Sequence, residues 1–178
     1  LHSTSRRQRQ MCIRDRAYTD VTGINNKLAY QNHIIRLNNA DDTFLVGVIM
    51  FDLNNLKRVN DTLGHEMGDR YIESFSTILA GMQNERISAY RIGGDEFCVI
   101  LEKTNAVEIH QILDSLERKI NVYNEKNNIK ISYAKGYEIS TIEHYYLMEE
   151  LTKRADSRMY ENKRLMKGKR LDGRRLNV

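Results

Sequence analysis

The chain is predicted to fold as a layered α/β or α+β domain. Strand-sized apolar runs alternate with longer helical stripes along it, the pattern of sheets covered by helices. Its 178 residues suit one domain with its own core. With 40% apolar and 29% charged residues, the composition is that of a globular chain rather than a disordered one.

The elements follow in order. Residues 1–16 hold five Arg and one Asp, with no apolar periodicity, no capping signal and no signal-peptide core. They are read as a leader, either foreign to the domain (they look like translated adapter sequence) or a basic linker that is disordered or helical. Residues 25–39 form a helix whose apolar face is Leu28, Ile34, Ile35 and Leu37. Residues 44–51 are almost continuously apolar, as in a strand buried on both faces, and stop at Asp52-Leu53-Asn54-Asn55. From Met67 to Met82, apolar residues including Tyr71, Ile72, Phe75 and Leu79 return at helical spacing. Residues 87–91 and 97–101 flank Gly93-Gly94-Asp95-Glu96, a hairpin signal in which adjacent glycines accept the positive φ of a tight turn. Ile109, Ile112, Leu113, Leu116, Ile120 and Tyr123 then make a second long helical stripe. Residues 129–139 read as a strand or hairpin, and residues 146–166 as a last helix. Residues 167–178 are basic and aperiodic, a frayed tail.

Charge and composition exclude several classes. Without residues 1–16, the 28 basic and 24 acidic side chains fall to 23 of each, so the net +4 is not spread over the domain. Aromatic and basic residues do not interleave as in a nucleic-acid stacking platform, so no nucleic acid is expected as a partner. The longest apolar run, residues 44–53, is strand-sized against the ~20 residues of a membrane span, and no membrane contact is expected within this segment. Cys12 and Cys98 give neither a disulfide framework nor metal-ligand spacing, and a reducing cytoplasm suits them.

Two turns concentrate chemistry. Asp52 ends a buried strand, and Asp95 and Glu96 sit in a hairpin turn beside two glycines that let a bulky ligand approach the backbone. Mg²⁺ takes one or two carboxylates plus substrate phosphates, and adjacent strands could bring Asp52 and Asp95 onto one metal pair. Each feature alone also fits a plain turn former or helix cap.

Together the blocks resemble the GGDEF diguanylate cyclases. Gly93-Gly94-Asp95-Glu96-Phe97 spells the signature in full. Phe51-Asp52-Leu53-Asn54-Asn55-Leu56-Lys57 resembles the D-x-D-x-F-K segment. Asn60-Asp61-Thr62-Leu63-Gly64-His65 with Gly68-Asp69 matches N-D-x-x-G-H-x-x-G-D. Thr22-Gly23-Ile24-Asn25-Asn26-Lys27 resembles T-G-L-x-N-R, and Ala155-Asp156, Tyr160 and Lys163 follow A-D-x-x-x-Y-x-x-K. The likeness runs from about Ala17 to Lys169, with the catalytic domain set at residues 17–170 and the basic tail at 171–178.

The resemblance implies a central, mostly antiparallel sheet flanked by helices, like nucleotidyl cyclases and polymerase palms. It implies condensation of two GTP into cyclic di-GMP and two pyrophosphates, by a two-metal mechanism at a homodimer interface. Asp52, Asp95 and Glu96 would be catalytic, with Asp52, the Leu53 carbonyl, Asp95 and Glu96 holding two Mg²⁺ (or Mn²⁺) ions per site. Asn60, Asp69, His65, Gly93, Gly94, Lys163 and Lys167 would contact substrate. Asn60 and Asp69 would read guanine and the two lysines the β- and γ-phosphates, while His65 is typical of the family and structural rather than catalytic. The lysines also fit a solvated helical face. The alternative is a catalytically weak GGDEF module that binds GTP as a regulatory domain. A cytoplasmic location, either as a soluble protein or as the cytoplasmic part of a membrane-anchored sensor, and an upstream sensory domain outside this chain complete the expectation.

This sequence departs from the family pattern at five places. Asn54 replaces the second Asp of D-x-D, Leu56 replaces Phe, and Met166 stands where a Gly precedes the final basic residue. Asp20-Val21-Thr22-Gly23 is one residue shorter than D-x-L-T-G. Many members carry an inhibitory product site, R-x-x-D, where this chain has Asn84-Glu85-Arg86-Ile87, so that site is expected to be lost.

Overall fold

The computed structural model describes residue 19 and residues 22–40, 45–140 and 147–175, with side chains through residue 168. The leader 1–16, Asp20, Val21, Phe44 and Tyr146 lie outside the described residues. Strand β1 (Val46–Leu53) is buried at all eight positions, which is why it carries no polar residue before Asp52. It is central in a four-stranded antiparallel sheet with β2 (Ile87–Arg91), β3 (Glu96–Glu102) and β4 (Tyr133–Ile139), in the order β2-β3-β1-β4. Five helices among the described residues cover it: α1 (Lys27–Asn38), α2 (Leu56–Leu63), α3 (His65–Ala80), α4 (Ala106–Lys126) and α5 (Met148–Arg175).

Alternation along β1 divides the core in two. Ile49, Phe51 and Leu53 pack with Tyr71, Ile72 and Phe75 of α3 and Ile109, Leu113 and Leu116 of α4. Val46, Val48 and Met50 face the other way, toward Ile34 and Leu37 of α1 and Leu151, Ala155 and Met159 of α5. Asp52 shares this second face by parity, so its carboxylate is directed toward α5.

Several boundaries differ from the sequence-based expectation. α1 starts at Lys27 because the Asn26 side chain caps it, accepting from the Ala29 N–H at 3.0 Å. Asp52 lies inside β1, not after it. The strand or hairpin expected over 129–139 is a strand that begins only at Tyr133, since the Ser132 carbonyl instead accepts from Asn54 N–H (2.8 Å) and the Ser132 N–H donates to the Tyr71 hydroxyl (2.9 Å). Rather than fraying after residue 166, α5 continues to Arg175. The short helix α2 was not foreseen, because it buries only Val59 and leaves Leu63 exposed, too little for an apolar stripe. The hairpin forms as expected, but neither Gly93 nor Gly94 has a positive φ; among the described glycines only Gly23 and Gly64 do.

Candidate active site

Register assembles the site. Asp52 of β1 lies directly opposite Glu96 of β3, and Leu53 N–H donates to the Asp95 carbonyl at 2.9 Å, so the two acidic segments meet at one end of the sheet. The turn between β2 and β3 is closed by the N–H groups of Ile92 and Gly93 donating to the Glu96 carbonyl (3.0 and 3.2 Å) and by Arg91 donating to the Gly94 carbonyl (2.9 Å). Gly93 does not have a positive φ; a Cβ there would meet the carboxylate of the exposed Glu96, a flexible side chain that could swing aside. A Cβ on Gly94 would meet nothing, so that edge of the turn is open to a ligand.

Asp52 is buried, and Lys163 of α5 donates to both its carboxylate oxygens at 2.6 Å. The expected lysine of the last helix therefore reaches the site, but lies on the carboxylate. Asp95 is half-buried and Glu96 exposed. No group of three or more His, Cys, Asp or Glu among the described residues is gathered closely enough to hold a metal. The donors nevertheless suit a hard divalent cation, being oxygen atoms brought to one sheet end by strand register.

Asn60 and Asp69 are drawn together by the elbow between α2 and α3. Gly64 turns the chain with φ +87°, its N–H donating to the Asn60 carbonyl at 2.9 Å. The Asn60 side chain rests on Gly68, where a Cβ would overlap its amide oxygen, and Asp69 follows, exposed. His65 is exposed at the first position of α3, outside the packed core, and Lys167 is exposed on α5. Two concavities of about 410 and 450 Å³ share Tyr71, Asn128 and Ile129, but no expected site residue lines either.

The supporting residues were not legible from pattern. The Tyr71 hydroxyl donates toward the Asn54 carbonyl (3.0 Å) and accepts from Ser132 N–H (2.9 Å), tying the end of β1 to the approach to β4. Buried Asn54 donates to Ser132 Oγ (3.2 Å) and to Met166 Sδ (3.7 Å). Two departures from the family pattern are thus one contact. Gly136 of β4 lets α5 approach, since a Cβ there would overlap Met159 N and Ala155 O. Cys98 is fully buried, and burial pushes its thiol well up, so it is no nucleophile.

A family profile described as "Diguanylate cyclase, GGDEF domain" matches residues 17–169. Diguanylate cyclase DgcN of Escherichia coli K12 is 33% identical over 156 residues, which is 85% of this chain and 38% of that protein. Cyclic di-GMP phosphodiesterase PdeR of the same organism is 32% identical over 90% of this chain and 24% of its own length. The chain thus spans well under half of these relatives. Among solved structures, the coiled coil and GGDEF domain of DgcB from Caulobacter crescentus, in complex with c-di-GMP, superposes with a TM-score of 0.78 at 21% identity, covering 90% of this chain and 88% of that one. SiaD of Pseudomonas aeruginosa, a diguanylate cyclase solved with its activator SiaC, gives the same TM-score at 20% identity, covering 92% and 64%. At such identities the likeness is one of fold.

Proposed function

The chain belongs to the GGDEF family, and from that membership we propose that it condenses two GTP molecules into cyclic di-GMP, releasing two pyrophosphates. The observation that carries this reading is the pairing of Asp52 with the Gly93–Phe97 turn at one sheet end.

In each of two successive steps a ribose 3′-oxygen bonds to the partner's α-phosphorus. The α–β phosphoanhydride bond breaks and the hydroxyl proton is lost. Asp52, the Leu53 carbonyl, Asp95 and Glu96 are the residues to hold two Mg²⁺ or Mn²⁺ ions per site, whose charge would acidify the attacking hydroxyl and offset that of the leaving pyrophosphate. Asp69 accepts from guanine N1–H and N2–H₂ while the Asn60 amide donates and accepts beside it. Gly94 leaves backbone open to phosphate, and Lys163 and Lys167 supply positive charge for the β- and γ-phosphates; His65 borders the same elbow as Asn60. Each protomer presents one GTP, so the working unit is a homodimer with facing sites. The protein's setting is a cytoplasmic one, behind an upstream sensory domain.

Protein dimerised by a fused coiled coil is expected to convert GTP to cyclic di-GMP with Mg²⁺. Asp95→Ala lowers turnover about 100-fold or more, since a carboxylate that places positive charge at the reacting phosphate is gone. Unchanged turnover in Asp95→Ala sinks the assignment. PdeR, a relative at similar identity, is named for a phosphodiesterase activity and not for cyclic di-GMP synthesis. A second reading of this chain is therefore a GTP-binding regulatory module. Calorimetric GTP binding with no product would select it.

A further inference from the structure

Lys163 does more at this site than wait for phosphate. Asp52 and Glu96 are directly opposed on neighbouring strands, a like-charge pairing that sheets disfavour, and Asp95 adds a third carboxyl group in the adjoining turn. Where that charge gathers, the Lys163 amine sits 2.6 Å from each oxygen of the buried Asp52. We propose that Lys163 is an internal stand-in for a divalent cation, which neutralises Asp52 while metal is absent and excludes metal from that carboxylate until the amine leaves. The proposal rests on Asp52 being a metal ligand, and the test below separates the two.

Exclusion follows from distance. A Mg²⁺ ion bonds carboxylate oxygen at about 2.0–2.1 Å, so with Lys163 in place two cations would share the same two oxygens. Their repulsion would be weakly screened at a group only 7% exposed. Exchange needs no movement of α5. The helix stays docked through Leu151, Ala155 and Met159 in the core, and through Asn54 to Met166 one turn beyond Lys163. The lysine stem is flexible and its side chain is 25% exposed, so the amine has a way out toward solvent. Once displaced, it is released beside the strand end where phosphates would lie. Metal and nucleotide therefore bind with positive coupling, and reciprocally so.

The test uses the full chain and Mn²⁺ as probe, with free ion followed by its paramagnetic resonance signal. Without nucleotide, Lys163→Met is expected to bind Mn²⁺ about fivefold tighter than the unmodified protein, at the upper end of what one ion pair contributes. Arg164→Met, which removes an exposed charge next in sequence, is expected to change affinity less than about twofold, as distant screened charge does. A non-hydrolysable GTP analogue is expected to raise Mn²⁺ affinity more in the unmodified protein than in Lys163→Met. Circular dichroism checks folding, and Lys163→Gln is read in the same way should Lys163→Met not fold. Equal Mn²⁺ affinity in Lys163→Met and the unmodified protein overturns the stand-in role while leaving the metal site intact. An equal gain in Arg164→Met also overturns it, since general electrostatics would then suffice. Undiminished Mn²⁺ binding in Asp52→Asn removes the ligand reading itself, and the proposal with it.

Discussion

At the scale of single residues, the proposed function concentrates base selectivity on Asp69. The carboxylate is exposed without ligand, so it remains hydrated until guanine arrives, and only a base with two adjacent donors replaces that water in full. Asp69→Ser is expected to narrow the preference for GTP over ATP by about tenfold to a hundredfold, the worth of one charge-assisted hydrogen bond. Competition between the two nucleotides measures it, and an unchanged ratio would show that Asp69 does not read the base. The residues proposed for the site, Asp52, Asn60, Asp69, Asp95 and Glu96, can be named from sequence because they lie in short blocks whose letters are themselves the signal. What surrounds them cannot, because those contacts join residues far apart in the chain. Tyr71 to Ser132 and Asn54 to Met166 have no periodic trace. Asn54 reads in sequence as a lost carboxylate, yet its amide donates to Met166, where an aspartate would set lone pairs against the thioether. The glycines taught the opposite lesson. The hairpin forms where they stand, but the expected reason fails, since neither Gly93 nor Gly94 takes up a left-handed φ.

Among the elements, α1 is fastened to the sheet by a polar cluster rather than by apolar packing alone. Buried His33 meets the Tyr90 hydroxyl through Nδ1 and Glu102 through Nε2 at 3.0 Å, with Arg36 beside it. Burial pushes Tyr90 up to about 12, so its hydroxyl stays protonated, and His33 is held between that hydroxyl at Nδ1 and the Arg36–Glu102 pair at Nε2. Burial, then the Arg36 charge, lowers the His33 pKa below its usual 6.5, against the opposing pull of Glu102. A depressed folded-state value means that the unfolded chain takes up the proton first. The stabilisation is complete above pH 6.5 and is lost as pH falls from there through the folded value. Urea midpoints at pH 7.5 and 5.5 are expected to fall on acidification, and to fall less in His33→Gln. An equal fall in both would assign the acid sensitivity to other groups. Element types were readable wherever burial was one-sided and long: α1, α3, α4, β1 and the hairpin all emerged from periodicity. α2 did not, because one buried valine makes no stripe. The end of α5 did not either, because a basic run carries no apolar signal whether or not it is helical.

At the scale of the whole molecule, the proposed activity would be limited by product only if the surface around β2 could bind it, and that surface is committed elsewhere. Position 84 would need an arginine to clamp product phosphates; here the Asn84 side chain accepts from the N–H groups of Arg86 (2.8 Å) and Ile87 (3.0 Å), shaping the entry to β2. Position 87 would need an aspartate; here Ile87 is 8% exposed and part of the core beneath α3 and α4. Arg86 is a nearby cation that could substitute, and it is already held. Its guanidinium donates to both oxygens of Glu108 on α4 (2.7 and 3.4 Å) and to the Lys103 carbonyl (3.1 Å). Recruiting it for a phosphodiester would break that fork and the brace it makes between the entry to β2 and the first turn of α4. Half-exposed, the pair is a modest brace joining hairpin to helix, worth about 0–1 kcal/mol. Turnover of the dimerised protein is therefore expected to be insensitive to micromolar cyclic di-GMP, and Arg86→Ala is expected to lower the urea midpoint slightly while leaving that insensitivity unchanged. Steady-state rates with added product decide it. Non-competitive inhibition at low product concentration that disappears in Arg86→Ala would show that the fork opens and that Arg86 binds product after all.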